Sequence, residues 1–592
     1  MTFNSESILK KLLHYIKPHA GMMTVGFVIK VIGTFMDLFL PWILSYLIDD
    51  VVPAYENTVS KESVSAILIW GGVMIVCSVF AVVFSIKANQ MASKVAGECV
   101  RDIRHDLYSK ISYLDSSKID HFTISSLELR LTSDTYYVHQ MIGMMQRLGV
   151  RAPILLIGGI VVSFILDVRL TLIMICALPF IGAAIYFFSK RGIPLYTSFQ
   201  QSIDKLTSVV RENASGIRII KALRKTDHEK ERFDAANKEA IGREKKAGIT
   251  MAATNPLVTL FLNIGLSAVI LIGAYLVSGG KSSAGKIIAF MSYFAIISNA
   301  MLNLSRMFVM ISKGSAGMNR IAVVLDARSD LTVPDDPDYG DKPENGTPHI
   351  RFKDVNFSYP GKSHVLSGID FSLEHGQTLG IIGATGSGKS SIVSLLLRTY
   401  DPDSGTIYID GKDIKKIPTS KLRKRFGVVF QNDFLLSDTI RENVSFCREL
   451  DNEKLIESLR DAQAYEFVDR YDDKLMHELE IKGANLSGGQ KQRLLIARAL
   501  AGDPEILILD DSSSALDFKT DAALRKVINE KYGKVTKIIV AQRISSIMHS
   551  DRIIVLEGGR IIGNGTHSEL MKNCELYRET AKLQIGGIAD DI

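Results

Sequence analysis

Between Gly383 and Gln542 the chain carries residues whose types and spacing suit the handling of a phosphate chain. Gly383-Ala384-Thr385-Gly386-Ser387-Gly388-Lys389-Ser390 follows the apolar run 378–382 and precedes Ser391 and a helix-like stretch to Leu397. Strand, glycine loop and helix are the context a P-loop needs. The glycines let successive backbone N–H groups point inward at phosphate, and the helix N-terminus adds positive potential. Lys389 then reaches the outer phosphates and the Ser390 hydroxyl is a ligand for Mg2+. A glycine-rich turn alone would explain neither side chain. Downstream, the apolar run 506–509 ends in Asp510, the pattern of a buried parallel strand that delivers a carboxylate to its C-terminal edge. An acid there holds Mg2+ through water.

Between these segments, Leu486-Ser487-Gly488-Gly489-Gln490 precedes a stretch with helical apolar spacing, 491–500. With this pentapeptide the sequence resembles the ATP-binding-cassette family. The resemblance implies ATP and Mg2+ as ligands, with the pentapeptide presented to the γ-phosphate of ATP held by a second cassette. It implies that Tyr359 stacks on adenine, that Gln431 serves the metal and the hydrolytic chemistry, and that Ser514-Ala515-Leu516-Asp517 links the two sites.

Two positions depart from the family pattern. A glutamate that polarises the attacking water is expected directly after Asp510, and Asp511 stands there. Its shorter side chain withdraws the oxygens by about 1 Å, a misplacement that costs on the order of a hundredfold in rate. A histidine is expected before Arg543, and Gln542 stands there; a carboxamide donates a hydrogen bond but neither becomes cationic nor shuttles a proton. Asp511 and Gln542 together point to a catalytic site relieved of turnover. The segment before the pentapeptide also departs, with Glu480 and Ile481 where many exporters carry glycine and glutamate.

The elements that must position these residues occupy less than half of the chain. At 592 residues the chain exceeds one ordinary core, and 47% hydrophobic residues with mean hydropathy +0.15 indicate a membrane portion. Apolar blocks near 22–48, 64–86, 141–166, 170–190, 249–278 and 286–311 predict six spans. The third block contains Arg147 and Arg151, and only 167–169 separates it from the fourth, which fits a tight hairpin. Long charged, helical stretches follow the second and fourth blocks and belong on the cytosolic side, leaving the short loop 52–62 outside. Within them Ser125–Asp134 and Val210–Ala222 resemble the coupling segments of type I exporters. The N-terminal stretch 8–17 reads as an amphipathic helix suited to the cytosolic membrane surface, with no removable signal peptide evident. Five scattered cysteines show no metal-ligand spacing, and a net charge of +6 demands no nucleic-acid partner.

The expected fold is therefore an α-helical six-span transmembrane domain with long cytosolic extensions (1–325), a linker rich in proline and aspartate (326–348) and an α/β P-loop cassette (349–592). No second copy of either half is present, so a second half-transporter must pair with this one. The functional reading is one subunit of a type I exporter in the plasma membrane, with its cassette in the cytoplasm. It moves hydrophobic or amphipathic cargo, drug-like or lipid, and pairs with a non-identical chain whose site is completed by the intact Leu486–Gln490 signature. The alternative is a nucleotide-gated, channel-like protein with little pumping. Lys30, Asp37, Asn255, Asn263 and Arg306 are polar groups inside spans, where charges are costly unless paired or wetted. Met291, Phe294, Met301, Met307, Phe308 and Met310 form a stripe read as helix packing before an adaptable binding face.

Overall fold

A computed structural model describes residues 5–52, 61–329, 331, 346–361, 364–512 and 515–585. Most of the loop 52–62, most of the linker and Ser514 therefore lie outside the described residues. The chain forms two compact units: residues up to Ser112 together with Ser125–Asp326, and Tyr113–Ile124 together with the chain from Ala327.

The first unit is helical. It contains α1 (Ser5–Ile16), α2 (Ala20–Tyr46), α3 (Lys61–Ser112), α5 (Ile124–Leu129), α6 (Thr135–Leu166), α7 (Val168–Ala222), α8 (Thr226–Ala252), α9 (Thr254–Ser278) and α10 (Ala284–Leu325), while α4 (Ser116–Phe122) belongs to the second unit. Among the described residues, six stretches are long and apolar enough to cross a membrane: Lys10–Val51, Val64–Ser112, Ile124–Leu166, Val168–Ala222, Thr226–Ser278 and Ala284–Leu325. Leu68, Ile69, Ile75, Val79 and Val82 of α3 are exposed, as lipid-facing side chains are. The charged stretches after the second and fourth blocks continue the spanning helices: α3 has 52 residues and α7 has 55.

The Arg-containing third block is one helix, α6, in which Arg151 donates to Asp37 of α2 at 2.9 Å and Arg147 donates to the Gly143 carbonyl at 3.1 Å. Lys30 is buried and donates to Ser85 Oγ at 2.9 Å and Asn89 Oδ1 at 3.1 Å on α3. These groups hold helices together. Asn263 and Arg306 are exposed, and the side chain of Asn255 lies outside the described atoms. In the methionine stripe, Phe294 and Met301 pack with Met174 and Ile181, and Met307 is buried, whereas Met291 and Phe308 are exposed. Only Asp167 separates α6 from α7; its carboxylate caps α7 by accepting from the Arg169 and Leu170 amides, the expected role of an N-cap aspartate. Helix α1 packs on protein: Leu12 is buried, the Tyr15 hydroxyl donates to Asp106 of α3 at 2.9 Å, and Lys11 pairs with Asp326.

The stretch Ser125–Asp134, expected to couple, is not the part of this region that groups with the cassette. Those residues belong to the first unit, where Arg320 Nε of α10 donates to the buried Asp134 at 2.8 Å. The segment grouped with the cassette is Tyr113–Ile124. Its helix α4 is capped by Asp115, which accepts from the Lys118 amide, and Asp120 accepts the Tyr400 hydroxyl at 2.6 Å. Both segments are short, polar and helical, so residue pattern did not distinguish them. Val210–Ala222 forms the end of α7, which turns at Leu223–Lys225 with Arg224 at φ 52°.

The second unit is an α/β cassette. Strands β1 (Ile350–Phe357), β2 (Leu366–Leu373), β4 (Ser404–Ile409) and β5 (Lys412–Asp413) form an antiparallel sheet in the order β2-β1-β4-β5. A six-stranded sheet runs β10-β9-β3-β8-β7-β6, with β3 (Thr378–Gly383), β6 (Phe426–Val429), β7 (Ile506–Asp510), β8 (Thr536–Val540), β9 (Arg552–Glu557) and β10 (Arg560–Gly565). All its pairings are parallel except β9 with β10. Every residue of β7 is buried, as a near-continuous apolar strand in a covered parallel sheet must be. Nine helices complete the described part of the unit: α11 (Lys389–Leu396), α12 (Thr419–Lys424), α13 (Ile440–Ser445), α14 (Asn452–Asp461), α15 (Tyr465–Val468), α16 (Gly488–Leu500), α17 (Phe518–Lys531), α18 (His567–Asn573) and α19 (Glu575–Ile585).

Removing one partner of the Asp37–Arg151 pair leaves the other charge among membrane helices. Asp37→Leu or Arg151→Leu alone should destabilise the protein by on the order of 2 kcal/mol or more, read as a lower melting temperature in detergent. The double variant should recover much of the loss.

Candidate functional site

The parallel ladders bring the predicted residues to one edge. In β8, Val540 pairs with Ile381 of β3 and with Asp510 of β7, so the P-loop, Asp510 and the segment reaching Gln542 leave the sheet side by side. A cavity of about 300 Å³ there is lined by Tyr359, Thr385, Gly386, Gly388, Lys389, Ser390, Ser391, Gln431, Asp510, Asp511 and Gln542, together with Val365, Val540 and Ala541. Gly383, Ala384 and Thr385 also line an adjoining cavity with Gln542 and helix α19. Ser387 is buried.

The loop needs its glycines. Gly386 and Gly388 have φ of 84° and 101°, values that an L side chain rarely adopts. A Cβ on Gly383 would stand 2.2 Å from the Leu556 carbonyl oxygen. The Lys389 ammonium folds back onto the loop, donating to the Gly383 and Ala384 carbonyls at 2.7 and 2.8 Å. Ser390 Oγ donates to Asp510 Oδ2 at 2.9 Å, and the Tyr359 hydroxyl lies 3.1 Å from Ser391 Oγ. Among the described residues the buried Ser387 hydroxyl has no hydrogen-bond partner, an orphan polar atom inside a loop of inward amides. This donor set fits a nucleotide phosphate chain, and Ser390, Asp510 and Gln431 are the oxygen donors positioned to hold Mg2+, a hard cation. Bound there, Mg2+ would offset the charge of the outer phosphates.

The two departing residues are partners. Gln542 Nε2 donates to Asp511 Oδ2 at 2.9 Å, and Asp511 adopts φ 51° while its amide donates to the Val540 carbonyl at 2.9 Å. Burial raises the Asp511 carboxyl above its ordinary range, opposed by Lys389, Arg543 and the Gln542 hydrogen bond. Burial also raises Asp510, against the Ser390 hydrogen bond, and lowers Lys389.

The pentapeptide does not line this cavity. Ser487 caps α16 by accepting from the Gln490 amide, and the Gln490 side chain accepts from the Ser487 amide at 2.8 Å, a complete capping box. Leu486 is buried. Gly488 and Gly489 face Ala515: a Cβ on Gly489 would stand 3.2 Å from the Ala515 carbonyl oxygen. Leu516 is buried, and Asp517 caps α17 by accepting from the Thr520 amide.

Residue patterns gave no sign of Gln584 on α19. Its Nε2 donates to the Gln542 carbonyl at 2.8 Å and its Oε1 accepts from the Ile544 amide at 2.8 Å. One carboxamide thus holds the backbone on both sides of Arg543. No local signal marks a glutamine in an amphipathic helix 42 residues away.

Two family models match this chain: the ABC transporter transmembrane region over residues 23–301 and the ABC transporter model over residues 366–514. An uncharacterized ABC transporter ATP-binding protein of Bacillus subtilis, YfiB, is 32% identical, covering 98% of this chain and 99% of that protein. This chain belongs to the ABC transporters. It is an ABC half-transporter, a multi-pass integral membrane protein with a cytosolic ATP-binding cassette, and half-transporters of this type work as dimers. A putative multidrug export ATP-binding/permease protein of B. subtilis, YgaD, is 28% identical over 98% of this chain and 99% of its own length. A bacterial Atm1-family ABC exporter with ATP bound has the same fold, with a TM-score of 0.79 and 22% identity over 98% of this chain and 99% of that one.

Two outcomes follow from this geometry. Gln584→Ala should destabilise the cassette by about 1–2 kcal/mol, because two hydrogen bonds are lost and the Ile544 amide is left unpaired; thermal melting reads it. A raised folded-state pKa at Asp510 means that the nucleotide-free cassette loses stability as pH rises through that pKa, whereas Mg2+ binding, which needs the carboxylate, weakens as pH falls through it. Mg2+-dependent nucleotide binding should therefore fade on acidification above the ordinary carboxylate pKa of about 4. Asp510→Asn should remove the Mg2+ dependence.

Proposed function

We propose that this chain is the hydrolysis-impaired subunit of a heterodimeric ATP-driven exporter of amphipathic compounds. The observation that carries the reading is the Asp511–Gln542 pair beside a complete P-loop. Lys389, Ser390 and Asp510 hold the nucleotide, and Tyr359 offers an aromatic face to its base. Asp511, one methylene short of glutamate and engaged by a neutral carboxamide, is poorly placed to align water. Turnover at this site is slow, by on the order of a hundredfold relative to a site with glutamate. The capped signature Leu486–Gln490 and the loop 514–517 complete the partner's site, where a glutamate and a histidine do the hydrolysis.

Cargo class rests on the exposed apolar surface of the spans and on the likeness to a putative multidrug export protein. Coupling is assigned to α4. Tyr400 meets Tyr359 edge to face, with centroids 5.2 Å apart, and donates to Asp120 of α4. A base stacked on Tyr359 therefore sits three contacts from that helix.

Asp511→Glu combined with Gln542→His should raise ATP turnover at this site by about tenfold or more, measured with the partner's own glutamate replaced by glutamine. Full transport-coupled ATPase activity from the unaltered chain reconstituted alone would overturn the heterodimer. Tyr400→Phe, which keeps the ring and deletes the hydrogen bond to Asp120, should leave nucleotide affinity intact and lower substrate-stimulated ATPase several-fold, as loss of about 1 kcal/mol of coupling would.

A further inference from the structure

The edge of the cassette opposite the nucleotide cavity holds a cluster that nucleotide chemistry does not use. Strands β3, β7 and β8 begin there, at Thr378, Ile506 and Thr536. His349 directly precedes β1, His375 lies in the turn between β2 and β3, and Asp410 lies in the turn between β4 and β5. One ligand atom from each lies within 4.8 Å of the others. The imidazoles stack, with centroids 3.9 Å and planes 10° apart. His375 Nε2 is 2.9 Å from Asp410 Oδ1, and His349 Nε2 is 3.9 Å from the same oxygen.

The surrounding hydrogen bonds assign the lone pairs. His349 Nδ1 lies 2.7 Å from Thr536 Oγ1, and its Nε2 faces an Arg425 N–H at 3.3 Å. A guanidinium only donates, so Nε2 is the bare nitrogen and Nδ1–H donates to Thr536. A ring anchored through one N–H, with its other nitrogen turned towards a carboxylate oxygen, has the setting of a metal-ligating histidine. Asp410 is similarly divided. Arg425 engages Oδ2 and is itself held by Glu505 at 2.6 Å, while the buried Oδ1 faces only the two imidazoles among the described residues. The His349 side chain is 2% exposed and that of His375 is 54% exposed, so one ligand is fixed and the other gives access from solvent.

We propose that His349, His375 and Asp410 bind a divalent transition-metal ion of the zinc type, with water completing the tetrahedron. Two imidazoles and one carboxylate suit Zn2+, whereas Ca2+ and Mg2+ take oxygen ligands. Metal–ligand bonds of about 2.0–2.1 Å place neighbouring tetrahedral ligand atoms about 3.3 Å apart. The 2.9 and 3.9 Å separations bracket that value, and because stacked rings hold their lone pairs in parallel planes, the exposed His375 ring turns out of the stack for both imidazoles to face one ion. Arg425 surrenders its contact with His349 and keeps Asp410 Oδ2 and Glu505, which offset its charge beside the ion. The ion ties turns of both sheets together and touches nothing in the nucleotide cavity.

The test uses the full chain in detergent, stripped with a chelator and titrated with Zn2+ by calorimetry and thermal melting. One equivalent should bind and raise the melting temperature, and Mg2+ should do neither. His375→Ala, at an exposed ring, and Asp410→Asn, which preserves shape, should each weaken Zn2+ binding at least about tenfold, with ATP affinity unchanged. Co2+ should give a tetrahedral absorption spectrum in the unaltered chain and lose it in His375→Ala. Unchanged Zn2+ affinity in both variants would place the ion elsewhere, and no Zn2+-dependent shift in the unaltered chain would leave the cluster an ion pair; either result overturns the site.

Discussion

Strand β8 lies between β3 and β7, and the register of its two parallel ladders decides where every residue of the nucleotide cavity stands. Val540 is opposite Ile381 on one side and Asp510 on the other. The P-loop leaves β3 two residues beyond Ile381, the acidic pair closes β7, and Gln542 follows β8 by two residues. A slip of one residue would turn every side chain of the strand to the opposite face and carry Gln542 out of reach of Asp511. The register is held by apolar burial on both faces, since Ile508, Ile538 and Ile381 are all at or near complete burial. Chemistry at the rim therefore depends on hydrocarbon packing several residues away.

At that rim, neighbouring carboxylates experience different surroundings. Asp510 is deeply buried and accepts from Ser390, whereas Asp511 is partly open and accepts from Gln542. The αL backbone at Asp511 is one that aspartate tolerates better than most residues. Asp511 and Gln542, the two departures from the family pattern, thus meet in one hydrogen bond.

The cassette was largely legible from residue order because phosphate binding demands a fixed string of glycines, a lysine and a hydroxyl, and because a buried parallel strand writes itself as an unbroken apolar run. The six spans were legible for a similar reason: bilayer thickness imposes a length. What residue order did not disclose are contacts whose partners are far apart and individually ordinary. Gln584 is one glutamine in an amphipathic helix, and its role exists only because α19 lies beside the segment after β8. Arg151 in the third block looked like an interruption until Asp37 on another helix paired with it. Residue order did not show which part of this region groups with the cassette, because Asp120 and Asp134 are equally acidic and equally helical; only the partners, Tyr400 for one and Arg320 for the other, tell them apart.

Helix α3 runs for 52 residues without a proline, about 78 Å at 1.5 Å per residue, and Tyr113, the residue after its end, begins the segment grouped with the cassette. Kinks in long helices arise at proline, at glycine pairs, at bulges or where hydrogen bonds are interrupted, and in α3 the one glycine pair, Gly71-Gly72, lies in the first quarter of the helix. A tilt of one degree about one end displaces the other by about 1.4 Å over that length. From Val73 to Ser112 the helix has neither a proline nor a glycine pair, so a tilt at one end of that stretch reaches the other by leverage instead of being lost in a bend.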